Sequence, residues 1–269
     1  MFRQPYFFSA EILTFLAGTA RNVLTNVDQD ADAELYLASA SAISRNVRLR
    51  VRDATAGREW SDANMWLGAA YGTGLNPLAL PIARKLIAAS VLQHVAVEES
   101  AVNNSVRFCY HGAKLFPRPS FPRPSFRARE AWNVVGNLVP VAVDPEGLGG
   151  VPAGGIATWS FRVDGAAFVE WRKISICHNA AAPAAGNDSV ATIMFQDSTG
   201  YRYQNIPVAV ENLGATIVTA AIPAGAFPLE LRAPALWYPG TVVTVQVQNL
   251  LPAAVLNMRI HLHGAKLYT

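Results

Sequence analysis

Val106-Arg107-Phe108-Cys109-Tyr110-His111-Gly112-Ala113-Lys114-Leu115-Phe116 returns as Met258-Arg259-Ile260-His261-Leu262-His263-Gly264-Ala265-Lys266-Leu267-Tyr268. Five consecutive residues, His-Gly-Ala-Lys-Leu, are identical, and Arg107 and Arg259 share one offset. A match of this length within one chain is the signature of a duplicated module. The apolar residues Val106, Phe108 and Tyr110 answer to Met258, Ile260 and Leu262, an alternation expected of a strand with one buried face.

Further upstream, 47–57 aligns with 191–200: a strand runs into an Asp/Gly turn at Asp53 and Gly57 in one copy and at Asp197 and Gly200 in the other. Such a turn suits a hairpin, since Asp bonds nearby backbone and Gly tolerates positive φ. The duplication divides the 269 residues into a first module over 1–116, a connector over 117–130 and a second module over 131–269. Each module is near the usual size of a domain.

Half the residues are apolar and 15% are charged, which excludes disorder over most of the chain. No uninterrupted apolar stretch approaches the length a bilayer requires, so no transmembrane helix is expected. Glu11 breaks what would be the apolar core of a signal peptide. Cys109 and Cys177 stand at non-equivalent places in different modules, which rules out a disulfide framework and reads as two small buried thiols. Lysine is confined to Lys85, Lys114, Lys173 and Lys266, and the rest of the basic complement is arginine, a residue enriched in protein contacts. An Arg-rich codon usage explains that bias equally well.

Helical periodicity is weak, while Gly, Pro, Asn and Asp recur between short Val, Ile, Phe and Tyr runs. The fold class expected is all-β: two tandem β-sandwich, jelly-roll-like modules with strands over 35–38, 47–52, 91–97, 106–111, 157–163, 169–177, 190–196, 216–221, 229–232, 241–248 and 258–263. Residues 82–92 have helix-like composition, but their counterpart, 229–243, contains Pro234 and Pro239, so both read as extended. The repeated unit Pro117-Arg118-Pro119-Ser120-Phe121 and Pro122-Arg123-Pro124-Ser125-Phe126 reads as a semi-rigid strut spacing the modules, or as a docking peptide showing Arg118 and Arg123.

Motifs of catalysis are missing: no Gly-x-Ser-x-Gly elbow, nucleotide loop or His-Glu-x-x-His occurs. His261 and His263 share a strand face, with Cys109 and His111 at the matching places, but two ligands do not make a metal centre. His94 and His178 are isolated. Asp28, Asp30, Asp32 and Glu34 form an alternating acidic run without the central Gly or the closing acidic residue of a calcium loop, and read as a solvated edge or loop. No cofactor or metal is expected. Arg48, Arg50 and Arg52 line one side of a strand whose counterpart carries Thr192, Met194 and Gln196, so the copies have specialised. That basic stripe suits an acidic protein surface or a merely solvated face. Interleaved aromatics of the kind that grip nucleic acid are missing from it.

Two Ala/Val-rich modules, each closing in an apolar strand that runs into His-Gly-Ala-Lys-Leu, resemble the structural proteins of tailed-bacteriophage virions, where jelly-roll modules recur as capsid decoration or cement proteins, collar components and fibre bases. The tandem arrangement is also similar to double jelly-roll major capsid proteins, although the long loops and flanking helices of those are not read here. The resemblance implies a non-enzymatic, capsid-associated role in the virion, through contacts with capsid or neck proteins and with copies of the chain itself. On that reading the contacts are the apolar N-terminal segment, Phe2, Tyr6, Phe7 and Phe8, as an arm covered by a partner, together with Arg48, Arg50, Arg52, Arg118 and Arg123. Trimming the arm is expected to abolish assembly and spare folding. The rival is a carbohydrate- or receptor-binding module using Trp60, Trp66, Trp237 and Tyr238 in loops. A glycan hydrolase on a β scaffold comes third, since fold alone does not exclude it.

Overall fold

The computed structural model describes residues 2–61, 63–117, 125–139, 147–180, 182–184, 186–217 and 228–269. In the first module the strands are β1 (Phe2–Phe15), β2 (Ala20–Asn26), β3 (Asp32–Ala42), β4 (Val47–Asp53), β5 (Arg58–Glu59), β6 (Met65–Trp66), β7 (Leu78–Leu86), β8 (Val91–Glu98) and β9 (Asn104–Phe116). In the second they are β10 (Ala128–Leu138), β11 (Ile156–Arg162), β12 (Phe168–His178), β13 (Ala191–Asp197), β14 (Val208–Ala209), β15 (Thr216–Ile217), β16 (Leu229–Trp237), β17 (Val242–Asn249) and β18 (Met258–Tyr268). The protein is all-β, as its patterning predicts.

Each module is a pair of sheets with the same strand order. β1-β9-β3-β7 faces β2-β8-β4-β5, and β10-β18-β12, with β16 and the short β15 both paired to β12, faces β11-β17-β13-β14. Apart from the short strands that pair locally, β5 and β6 with β4 and β14 with β13, neighbours in the chain alternate between sheets while neighbours in a sheet are distant in sequence, which is the jelly-roll solution to burying two apolar faces. Tyr6, Phe8, Ile12, Phe108 and Tyr110 pack on Leu49, Val51 and Leu92 in the first core. Trp171, Ile176, Ile260 and Leu262 pack on Ile193, Phe195, Val245 and Val247 in the second.

Pair by pair, the sheets reveal how far the duplication reaches. β3 bulges between Leu35 and Leu37 opposite Gly112, and β12 bulges between Trp171 and Lys173 opposite Gly264. At the bulge the neighbouring backbone closes in: a Cβ on Gly112 would lie 2.3 Å from the Glu34 carbonyl oxygen, and one on Gly264 would lie 2.0 Å from that of Glu170. The repeated glycine is therefore required by the repeated bulge. The same register aligns Arg3–Glu34 (2.9 Å) with Arg129–Glu170 (3.5 Å) and Lys114–Asp28 (2.7 Å) with Lys266–Asp164 (3.0 Å). It also aligns Ser39 Oγ to His111 Nε2 with Ser175 Oγ to His263 Nε2, each 2.9 Å.

The modules are not held apart by a strut. They pack together, and most of the proline-rich segment, 118–124, lies outside the described residues. The N-terminal segment is not an arm either: Phe2–Phe15 is β1, bonded along its length to β9, with Tyr6, Phe7 and Phe8 buried within the chain. Its aromatics alternate between two interiors, Tyr6 and Phe8 in the first core and Phe7 in the buried cluster that includes Trp171, Tyr203 and Trp237 of the second module. No helix among the described residues is long and apolar enough to cross a membrane.

Candidate interaction surfaces

The outer face of the β1-β9-β3-β7 sheet carries Phe7, Ser9, Glu11, Leu37, Ser39, Ser41, Arg107, Cys109 and His111, because alternate residues of a strand share a face. A sheet with both faces covered loses its polar exposure, so β9 is buried nearly end to end. What covers it is the second module. Asp188, just before β13, accepts hydrogen bonds from Ser41 Oγ (2.7 Å) and Ser105 Oγ (2.8 Å) and pairs with the Arg107 guanidinium, which also meets Glu11 at 3.2 Å. Asn212, in the short 3-10 turn Val210–Leu213, donates from Nδ2 to the Arg107 carbonyl (3.0 Å), and its own carbonyl accepts from Ser39 Oγ (3.2 Å).

Along the free edge of β1, the Phe7 amide donates to the Tyr203 carbonyl (2.7 Å) and Asn205 bridges both backbone groups of Ser9, at 2.7 and 2.8 Å. An edge that would otherwise template aggregation is thus closed from within the chain. At the far end Lys114 Nζ lies 2.7 Å from both Asp28 and Asp30 and sits over the rings of Tyr6 (4.6 Å) and Tyr201 (5.4 Å). The Tyr201 hydroxyl donates to the Pro5 carbonyl at 3.1 Å. Asp188 therefore reaches the end where β3 stops and β9 starts, and Tyr201 reaches the opposite end. The modules lie side by side with one polarity.

Burial makes this interface neutral where it has no charge partner. Desolvation holds His111 down to about 4 and pushes the Cys109 thiol up to about 12. His94, stacked on Phe108 in the first core, is pushed down to about 3 by the same cause.

Among the described residues the matching face of the second module, on β10, β18 and β12, is open. Asn133, Val135, Lys173 and Arg259 are exposed there, and His261 and His263 are half-buried. His263 Nδ1 meets Asn133 Oδ1 at 2.8 Å while its Nε2 meets Ser175, a chain with the outline of a hydrolase relay. The same Ser–His pair recurs at Ser39 and His111 under the second module, where no substrate reaches it. The pair belongs to the duplicated framework. Burial first, then Lys173, lowers the pKa of His263, and burial, His263 and Arg259 lower that of His261. Among the described residues no three metal-ligating side chains converge.

Other residues singled out by sequence lie elsewhere. Arg48 bonds Glu99 (2.7 Å) and sits over Trp66, and Arg50 (3.3 Å) and Arg52 (3.9 Å) meet Glu59, so the basic stripe is matched by acids. Arg118 and Arg123 lie outside the described residues. Asp28 and Asp30 stand in the solvated loop before β3 and hold Lys114, while Asp32 holds Lys85 and Glu34 holds Arg3, so the acidic run also carries ion pairs. Cys177 is half-buried. Phe2 is half-buried beside a shallow cavity of about 390 Å³ shared with Phe116 and Tyr201. Trp237 is a core residue stacked on Trp171, with Nε1 donating to the Tyr203 hydroxyl at 2.6 Å, and Trp60 packs against the first core; neither is a loop aromatic open to a sugar. Trp66 is the exposed one.

Sequence reading missed Asp188, Asn205, Asn212 and Tyr201. Each acts on a strand more than 80 residues away, and its own neighbourhood looks like an ordinary turn. Arg107 carried a signal, its place in the repeated segment.

No family model matches the sequence, and no curated protein matches it. Among solved structures the chain is similar to the major capsid protein P2 from bacteriophage PM2, at 10% identity over 99% of this chain and 98% of that one, with a TM-score of 0.29. It is similar to PNGase F, a glycosylasparaginase from Flavobacterium meningosepticum, at 10% identity over 97% and 96%, TM-score 0.28. It is similar also to a chain of Sulfolobus Turreted Icosahedral Virus, at 7% identity over 96% of this chain and 59% of that one, TM-score 0.28. The resemblance to jelly-roll viral capsid proteins is weak. A glycosylasparaginase stands level with it, so these likenesses carry no functional argument.

Proposed function

We propose that the protein is a non-enzymatic structural component of a virion shell, working through protein–protein contacts. The observation that supports this reading is the mode of joining. Two jelly rolls of equal strand order stand side by side with the same polarity, locked by a buried ion pair, a capped strand edge and a shared apolar cluster. Such a block is stiff, and stiffness with repeated geometry is what a shell subunit requires. The polar cluster of Asp188, Arg107, Ser41 and Ser105 is consumed in holding the modules together, and the Ser–His pair that could suggest chemistry is repeated in a place closed to substrates.

The test is quantitative mass spectrometry on washed particles produced by the genome that encodes this chain. Many copies per particle are expected. Absence from washed particles overturns the reading, and release of a new sugar or peptide product by the purified chain would replace it with an enzymatic one.

A further inference from the structure

The contact that joins the modules uses only half of the surfaces that the duplication created. Inside the chain, β16 packs on β1 and β9, across the outer face of the first module's sheet. β16 has an equivalent in the first module, β7. Leu78 and Ala79 pair with Ala38 and Leu37, and Lys85 and Leu86 with Glu34 and Ala33. In the same way Leu229 and Glu230 pair with Ile174 and Lys173, and Leu236 and Trp237 with Glu170 and Val169. Residues 80–83 and 231–234 cross the bulge in each, so Ile82 stands where Ala233 stands. Ala233 is 4% exposed and Ile82 is 77% exposed.

The receiving side has an equivalent too. By the register of β10 on β18, Asn133 stands where Phe7 stands and Val135 where Ser9 stands. Phe7 is 2% exposed and Val135 is 41% exposed. Thus, although Ala79, Leu80 and Ala83 of β7 border Arg232 of β16 in the same chain, the β16-like edge is left open at Ile82, and one β1-like face, on β10 and β18, is left open among the described residues. An exposed edge strand bearing Leu78 and Ile82 is a liability unless something covers it. Pro81 within β7 lacks an amide donor, so the cover meets side chains there and not a continued ladder. The sizes have also exchanged: large Phe7 belongs to the side that meets the β16 edge with its small Ala233, and small Asn133 belongs to the side left open for large Ile82.

We infer that the outer face of β10 and β18 is a docking surface for β7 of a second copy of this chain, in the head-to-tail sense in which β1 and β9 already receive β16. Val135, Asn133 and His263 receive Ile82 and its neighbours on β7. Because the contact is heterologous, each copy keeps one free donor and one free acceptor, and the series closes into a ring or runs on as a filament. The inference deepens the assembly reading above and rests on it.

The experiment is sedimentation velocity on the full chain over its soluble concentration range, with Ile82→Asp and Val135→Asp as variants. Both positions are exposed, and Ile82→Ser and Val135→Ser replace them if circular dichroism reports a lost fold. The wild type is expected to form a closed ring or a longer open series, and each variant a folded monomer. An equimolar mixture of the two variants contains one intact edge and one intact face, so it should give a dimer of twice the monomer mass and nothing larger. A wild type that stays monomeric, variants that oligomerise like the wild type, or a mixture that stays monomeric each overturns the inference. A monomer that is nevertheless abundant in washed particles sinks this contact alone. An oligomer absent from particles sinks the virion reading alone.

Discussion

Asp188 of the second module lies against the guanidinium of Arg107 in the first, with the Asp188 side chain wholly shielded from water and that of Arg107 8% exposed. Neither charge can be left alone there. Removing one partner of a buried pair strands the other, at a cost of about 3–5 kcal/mol. Asp188→Ala is expected to lose about that much in urea denaturation, less any share that Glu11 recovers through its own contact with Arg107. The double variant Arg107→Met with Asp188→Leu should be more stable than Asp188→Ala, since an apolar pair leaves no buried charge. A double variant weaker than the single one would show that the pair contributes more than it costs to desolvate.

Gly112→Ala and Gly264→Ala should both destabilise, by roughly 1–3 kcal/mol each, because the added methyl meets backbone that cannot swing aside. Thermal unfolding reads this directly. Gly165→Ala, where nothing lies within reach of the added carbon, is the control and should leave the midpoint nearly unchanged.

Deleting residues 1–10 removes most of β1, with Tyr6, Phe7 and Phe8. The expected product is an unfolded or insoluble chain, read by near-ultraviolet circular dichroism. A truncated protein with native spectra would restore the picture of a dispensable arm.

His111 is held near 4 by burial, against an ordinary value of 6.5, so the unfolded chain binds the extra proton first as pH falls. Stability is therefore complete above about pH 6.5 and declines towards pH 4, by roughly 3 kcal/mol for this residue. His94, held near 3, acts in the same direction. His111→Gln should flatten the fall between pH 6.5 and 4 without abolishing it, measured as denaturation midpoints across that range. An unchanged slope would mean that His111 takes up its proton at the same pH in the folded and unfolded chain.

Trp237→Ala should cost about 3–5 kcal/mol as a core truncation beside Trp171 and Tyr203, whatever sugar is offered. Specific glycan retention lost in a variant of unchanged stability would reinstate the carbohydrate reading.

Local pattern determined a good deal. The repeated His-Gly-Ala-Lys-Leu and the Asp/Gly turns identified the duplication, and period-two alternation identified the strands, because both are properties of neighbouring residues. The sequence also placed Gly112 and Gly264 in register, although the reason for them, a bulge in β3 and β12, is a property of a different strand. Only the tertiary structure decided what each copy of a shared position does. Arg107 and Arg259 are identical residues at one offset, yet the first is buried against Asp188 and the second is exposed. Phe2 to Phe8 reads as a free apolar arm until β9 supplies the hydrogen bonds and the second module supplies the cover. Burial is set by what arrives from far along the chain, and no spacing within a strand records it.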